Sequence, residues 1–151
     1  MFKKKGALLE YNYWANKRSL ASIKKLTENN EQPLKIFSHI LLAEELWLKR
    51  IKQNAPEEQN FWEIIPMDKC NSLIEKNKNE WSEFLISQMP DVLVKKIPYV
   101  NSKGIKYENT LEEIFTHVIN HSTYHRGQIA SIVRELGGQP ALTDYIVFAR
   151  E

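Results

Sequence analysis

Four histidines, His39, His117, His121 and His125, are the residues of this chain with the most chemistry to offer. Three of them recur at every fourth residue of one helical stretch, and His39 stands on another. Each four-residue step along an α-helix turns about 40° and climbs about 6 Å, so neighbours in such a series can hold one metal ion between them. Residues eight apart are separated by about 12 Å along the axis and cannot. A metal therefore takes His117 with His121, or His121 with His125. The apolar arc of the helix, Ile114, Val118, Ser122, His125, Ile129, Ile132 and Leu136, separates the two pairs. With His125 as origin, His121 falls at about −40°, on the edge of that arc, and His117 at about −80°, on its flank. The spacing predicts that His121 and His125 point inward and that His117 faces a neighbouring helix or solvent. His39 shares its face with Ile36, Ile40, Ala43 and Leu46, which directs it inward as a third ligand.

Three neutral imidazoles with an open position make the donor set of a catalytic zinc-type site. Imidazole also suits nickel, iron and copper, so the donors do not name the metal. The competing reading is a set of hydrogen-bonded core histidines without an ion. No HExxH motif is present, which removes the zincin class. No Glu-x-x-His pair occurs either, since Glu113 and His117 are four apart, and this removes the di-iron bundles. Asn16 interrupts the apolar stripe of the first helix, as a substrate-facing amide or as a buried amide bonded to backbone. Arg126 follows His125 and either meets an anionic substrate group or pairs with Glu44 or Glu45. Tyr124 and Gln128 read as ordinary helix-surface or inter-helix residues, and Trp14, Trp47 and Trp81 as core or dimer contacts. Gly127 reads as a point of close helix approach, and Cys70 as a small buried hydrophobe rather than a nucleophile.

Four helical stretches must position these residues. The first runs over about 5–28, with Leu9, Tyr13, Asn16, Leu20, Ile23 and Leu26 at three- and four-residue spacing. The second opens near Pro33, carries His39 and Arg50, and ends near Asn54. A loop follows to about Met67. The third carries Cys70, Leu73, Ile74, Asn77, Trp81, Phe84, Leu85 and Met89, with Ser72 and Glu75 at capping-box spacing near its start, and Pro90 ends it. Alternation at Ile97, Tyr99, Ile105 and Tyr107 around Asn101-Ser102-Lys103-Gly104 predicts a small hairpin, which Pro98 confines to an edge. The last long helix opens on a Thr110–Glu113 capping box and stops at Gly137-Gly138, with a short tail helix from Thr143-Asp144. An all-α, antiparallel four-helix bundle over 1–151, a single domain with a hairpin before its last long helix, buries these four stripes most economically.

Composition bounds the partners. At 151 residues and 42% hydrophobic content the chain can bury one core and is not a disordered segment. Its longest apolar run, 145–149, is far short of a membrane span. The basic start, Met1 to Lys5, has no apolar stretch after it of the kind a signal peptide needs. One cysteine suits a reducing cytoplasm. The net charge of +2, and lysine pairs at 24–25 and 95–96 without a stacking platform, speak against nucleic acid.

The segment His117-Val118-Ile119-Asn120-His121-Ser122-Thr123-Tyr124-His125-Arg126-Gly127-Gln128-Ile129 resembles the signature helix of the DinB family of DinB/YfiT-like, metal-dependent four-helix bundles. Further matches lie at 11–16, at 39–48, at Leu136-Gly137-Gly138-Gln139-Pro140 and at Thr143-Asp144-Tyr145. The resemblance implies a bundle, often dimeric, with one divalent metal per chain, zinc or nickel foremost, on His39, His121 and His125. It places His117 at a position that is not usually a ligand. It also implies a transferase that uses a low-molecular-weight thiol as cosubstrate against a small electrophile. The alternatives are a metal-dependent hydrolase of a small ester or amide, and a non-catalytic metal or small-molecule binding bundle. A purely structural site is disfavoured, because such sites are normally closed by a fourth protein ligand.

Overall fold

The periodic segments fold into α1 (Phe2–Lys24), α2 (Glu31–Ile51), α3 (Met67–Ser87) and α4 (Leu111–Glu135). A 3-10 turn (Pro90–Val94) and a hairpin of β1 (Lys96–Val100) and β2 (Lys106–Thr110) precede α4, and α5 (Tyr145–Phe148) follows it. The structure, a computed structural model, describes residues 2–87 and 90–151, with side chains described over 5–87 and 92–151. It is the expected antiparallel four-helix bundle. α1 packs on α3 and α4, α2 packs on α4 and α3, and α1 and α2 face each other across the diagonal. No helix among the described residues is long and apolar enough to cross a membrane.

Local chemistry sets the ends of the elements. The Thr110 side chain accepts from the Glu113 N–H while the Glu113 carboxylate accepts from the Thr110 N–H, the reciprocal cap expected from the sequence. At the other end of α4, Gly137 takes φ 79, and Gly138 N–H donates to the Val133 carbonyl at 2.8 Å. A Cβ on Gly138 would lie 2.6 Å from Leu26 Cδ2, so this glycine, and not the exposed Gly127, carries the close approach. Leu136, expected on the inward face, is 39% exposed, because the helix has already unwound into this cap. The second capping box is not formed. α3 begins five residues earlier than Ser72, at Met67 after Pro66, and Glu75 accepts from Tyr13 and Lys17 instead. α1 stops at Lys24 rather than Glu28, with Asn29 left-handed (φ 57) in the turn, and α2 stops at Ile51, short of a left-handed Gln53. Met89, assigned to α3 from its spacing, lies outside the described residues. The hairpin has the expected partners, with Tyr99 opposite Tyr107 and Pro98 opposite Glu108.

The core is apolar at both ends and polar between them. One apolar cluster gathers around Trp81, Leu111 and Phe115, and the other around Phe37, Ile40, Ile74 and Ile129. Between them lies Glu44 of α2, only 4% exposed, which receives a hydrogen bond from each of the other three helices. Asn12 and Asn16 of α1 donate to its Oε1 at 2.7 and 2.9 Å, Ser122 of α4 donates to the same oxygen at 3.1 Å, and Asn77 of α3 donates to Oε2 at 3.2 Å. Arg126 of α4 completes the layer by donating from Nη1 to the Oδ1 atoms of Asn12 and Asn16, at 2.7 and 2.8 Å. A buried carboxylate and a buried guanidinium are costly to desolvate, and here two amides connect them.

Candidate metal centre

The inward faces of α2 and α4 bring His39, His121 and His125 together, with one ring nitrogen of each lying within 4.8 Å of the other two. His39 Nε2 is 3.1 Å from His121 Nε2, which is 3.2 Å from His125 Nε2. At metal–nitrogen bonds of about 2.05 Å, two imidazole nitrogens stand about 3.3 Å apart in tetrahedral geometry and about 2.9 Å apart in octahedral geometry. These two separations lie within that range, and all three ligand atoms lie within 4.8 Å of one another, so the three histidines could hold a metal ion.

The outer nitrogens explain why the Nε2 atoms are the ones that converge. His39 Nδ1 donates to the Phe61 carbonyl at 2.8 Å, and an oxygen of this kind can only accept, so the proton sits on Nδ1 and the Nε2 lone pair is exposed to the centre. His125 Nδ1 is likewise 2.7 Å from Gln128 Oε1, and the Gln128 amide nitrogen faces the Tyr124 hydroxyl at 3.4 Å. Fixing the tautomer through the distal nitrogen is how protein metal sites orient imidazoles. With those tautomers His39 and His125 both turn an Nε2 lone pair toward His121 Nε2, which either donates its own proton to one of them or joins them as a third lone pair on a cation. Trp62 lies parallel over the His39 ring, 3.8 Å between centroids.

Burial keeps His39 and His121 neutral. Desolvation lowers His39, offset in part by the Phe61 carbonyl, and pushes His121 down to about 3, with the neighbouring histidines adding to the effect. Both are therefore unprotonated near pH 7, the form in which histidine ligates. His117 is exposed on the flank, as the helix geometry predicts, with its ring 5.1 Å from that of Trp47 and 5.6 Å from that of His121. Desolvation and then Arg50 lower its pKa.

The two weaker sequence candidates belong to the closed polar layer instead. Asn16 is 1% exposed, with its amide nitrogen on Glu44 and its oxygen on Arg126, so it is a buried amide bonded to side chains rather than to backbone. Arg126 is also 1% exposed and reaches neither expected acid directly: Asn12 and Asn16 relay it to Glu44, while Glu45 pairs with Lys49 and Lys76. Its remaining bond, from Nη2 to Thr123 Oγ1 at 2.9 Å, lies within α4. Cys70 is fully buried with its thiol pushed up to about 11 by desolvation, which suits a packed hydrophobe. Trp81 is 2% exposed in the core, whereas Trp14 and Trp47 are half-buried, Trp14 bonded to Glu151 and Trp47 against His117.

Three contributors escaped the sequence reading. Gln128 had a signal, because it stands three residues after His125 and so lies beside it on the helix. The Phe61 carbonyl had none, since any residue there supplies the same oxygen. Trp62 reaches His39 through the path of a loop: Ile65 N–H donates to Ser38 Oγ at 2.9 Å, and Asn60 Oδ1 accepts from Trp62 N–H at 3.1 Å.

Comparison with known proteins agrees with this architecture. The family model described as the DinB family matches residues 1–151. The chain is 27% identical to Protein DinB of Bacillus subtilis (strain 168) over 158 aligned residues, covering 91% of this chain and 89% of that protein. It is 29% identical to the uncharacterized protein YizA of the same organism over 119 residues, covering 77% of this chain and 72% of that one.

Proposed function

We propose, for a chain that belongs to the DinB family, a metal-dependent transferase that activates a low-molecular-weight thiol for attack on a small electrophile. The observation that carries this reading is the convergence of three Nε2 atoms at 3.1 and 3.2 Å with no fourth protein donor in the group among the described residues. His39, His121 and His125 are the ligands in this reading, with zinc or nickel as the ion. A divalent ion bound there supplies the Lewis acidity that holds a small thiol as its thiolate near neutral pH.

The chain's own residues perform the remaining tasks. The Phe61 carbonyl and Gln128 keep the His39 and His125 protons on Nδ1, so that no ligand nitrogen is lost to the wrong tautomer. Trp62 covers one face of His39 and keeps water from it. The transferred group forms a carbon–sulfur bond as its leaving group departs with the bonding pair, and the thiol proton passes to solvent. Among the described residues, no carboxylate hydrogen-bonds to any of the three imidazoles; their partners are a carbonyl, an amide and one another. A thiol, with an ordinary pKa of about 8.5, gives up its proton far more readily than water, so a site without a neighbouring base suits thiol transfer better than hydrolysis.

Elemental analysis of untagged protein, prepared without chelator, tests the first half and should find roughly one zinc or nickel per chain. Chloride release from 1-chloro-2,4-dinitrobenzene tests the second and should depend on added thiol. Turnover of a small ester without thiol would replace transfer with hydrolysis. Protein that neither carries nor takes up an ion would leave neither reading standing. A homodimer is proposed as the assembled form, and light scattering should return twice the chain mass of 17.8 kDa.

A further inference from the structure

Beside the histidines, a cavity of about 1030 Å³ opens between the end of α2, the segment 55–61 and the hairpin. Its volume is that of a small-molecule site. Gln53 joins two of its walls, donating from its amide to the Arg50 carbonyl at 2.8 Å and the Pro98 carbonyl at 2.9 Å. Phe61, whose carbonyl orients His39, belongs to a third wall. The cavity therefore abuts the candidate metal centre.

Arg50 is the one cation among the described residues of its lining. The guanidinium lies 4.7 Å from the Trp47 ring centroid and 5.8 Å from that of Tyr99. These rings stabilise the charge and fix the plane of the fork, but they satisfy none of its five N–H donors. Among the described residues Arg50 makes no ion pair and no side-chain hydrogen bond. Glu57 and Glu58 also line the cavity, both exposed and neither paired with it. A second unsatisfied group shares the lining: Gln59 Oε1 is buried without a partner. A half-buried guanidinium held by rings and left without an acceptor is a receptor for an anion.

We propose that this cavity binds a small organic monocarboxylate, with Arg50 as its receptor and Gln59 accepting from a donor on the ligand body. The charge balance of the lining chooses the ligand class. The lining offers one guanidinium charge, and the exposed Glu57 and Glu58 repel any negative charge beyond the one that Arg50 engages, so a doubly charged phosphate is disfavoured relative to a monocarboxylate. The planar fork suits the two oxygens of a carboxylate. The binding site stands on Arg50 and its cavity; that the ligand is part of the substrate rests on the metal reading above.

Calorimetry with 4-hydroxybenzoate, and with its neutral analogue 4-hydroxybenzamide, tests the proposal. The acid should bind the wild-type chain at least about tenfold tighter than the amide, and Arg50→Met should remove that advantage. The Arg50 Nε–H resonance should shift on titration with the acid, a readout that needs no variant. Equal affinity for acid and amide, no heat with the acid, or full binding by Arg50→Met overturns the proposal. Both chelator-stripped and zinc-loaded protein should bind the acid equally. Binding confined to the zinc-loaded form would place the carboxylate on the ion and overturn the Arg50 assignment while supporting the metal site.

Discussion

Two arginines of this bundle stand in opposite circumstances. Arg126 is sealed in the centre, with three hydrogen bonds to Asn12, Asn16 and Thr123 and a carboxylate one amide away. Arg50 stands at the end of α2 between two aromatic rings, with no acceptor among the described residues. The layer around Arg126 and Glu44 ties four helices together, and most of its polar groups serve the fold; Arg126 Nε and Asn77 Oδ1 alone are buried there without a partner among the described residues. The histidines and Arg50 lie where α2, a loop and the hairpin meet, and their donor and lone-pair capacity points at space rather than at the protein. Polar groups bonded from helix to helix therefore hold the fold, whereas a guanidinium that faces a cavity is a binding device.

Four experiments would break or sharpen that contrast. The largest effect belongs to the open region: His39→Ala, His121→Ala and His125→Ala should each abolish stoichiometric metal, while His117→Ala retains it, as elemental analysis will show. Metal lost in His117→Ala and kept in His125→Ala would overturn the ligand assignment. Next comes the closed layer. Arg126→Met leaves the Asn12 and Asn16 oxygens without their donor and should cost about 3–5 kcal/mol, lowering the melting temperature by roughly ten degrees. Arg50→Met should cost less than about 1 kcal/mol. Equal losses in denaturant titrations would erase the distinction between the two arginines.

A smaller effect should follow Gln128→Leu, which frees the His125 tautomer. Zinc affinity should fall by about 10- to 100-fold with the fold intact, measured by competition with a chromophoric chelator. Unchanged affinity would make Gln128 a bystander. The smallest concerns Cys70, deep in the apolar cluster beside the closed layer. With its thiol held at about 11, the native protein should resist iodoacetamide at pH 8 and react once unfolded in urea. Because burial raises this pKa above the ordinary 9.0, the unfolded chain loses the proton first. The contribution of Cys70 to stability is thus complete below about pH 9 and declines as pH rises toward 11. Rapid native labelling would show that the thiol is not enclosed.

Much of this could be read from the chain itself. Four-residue spacing and the apolar arc of α4 singled out His121 and His125 and set His117 aside, because helix angles depend on position alone. The Thr110–Glu113 cap and the Gly137-Gly138 stop were legible for the same reason. Ser72 and Glu75 misled because a capping pair has meaning only at a helix start, and Pro66 placed that start earlier. Arg126 was read as half of an ion pair, since a sequence does not reveal that two asparagines from another helix will stand between the charges.

The sequence by itself determined the bundle, the order of its helices and which histidines face inward, all of which follow from period and local capping. Tertiary structure alone decided that the Nε2 atoms meet within hydrogen-bond distance, that Phe61 offers its carbonyl to His39, and that Arg50 finds no acceptor among the described residues beside a cavity. Those facts depend on how a loop and a hairpin dock against α2. Docking is set by contacts between residues distant in the chain, which no local pattern encodes.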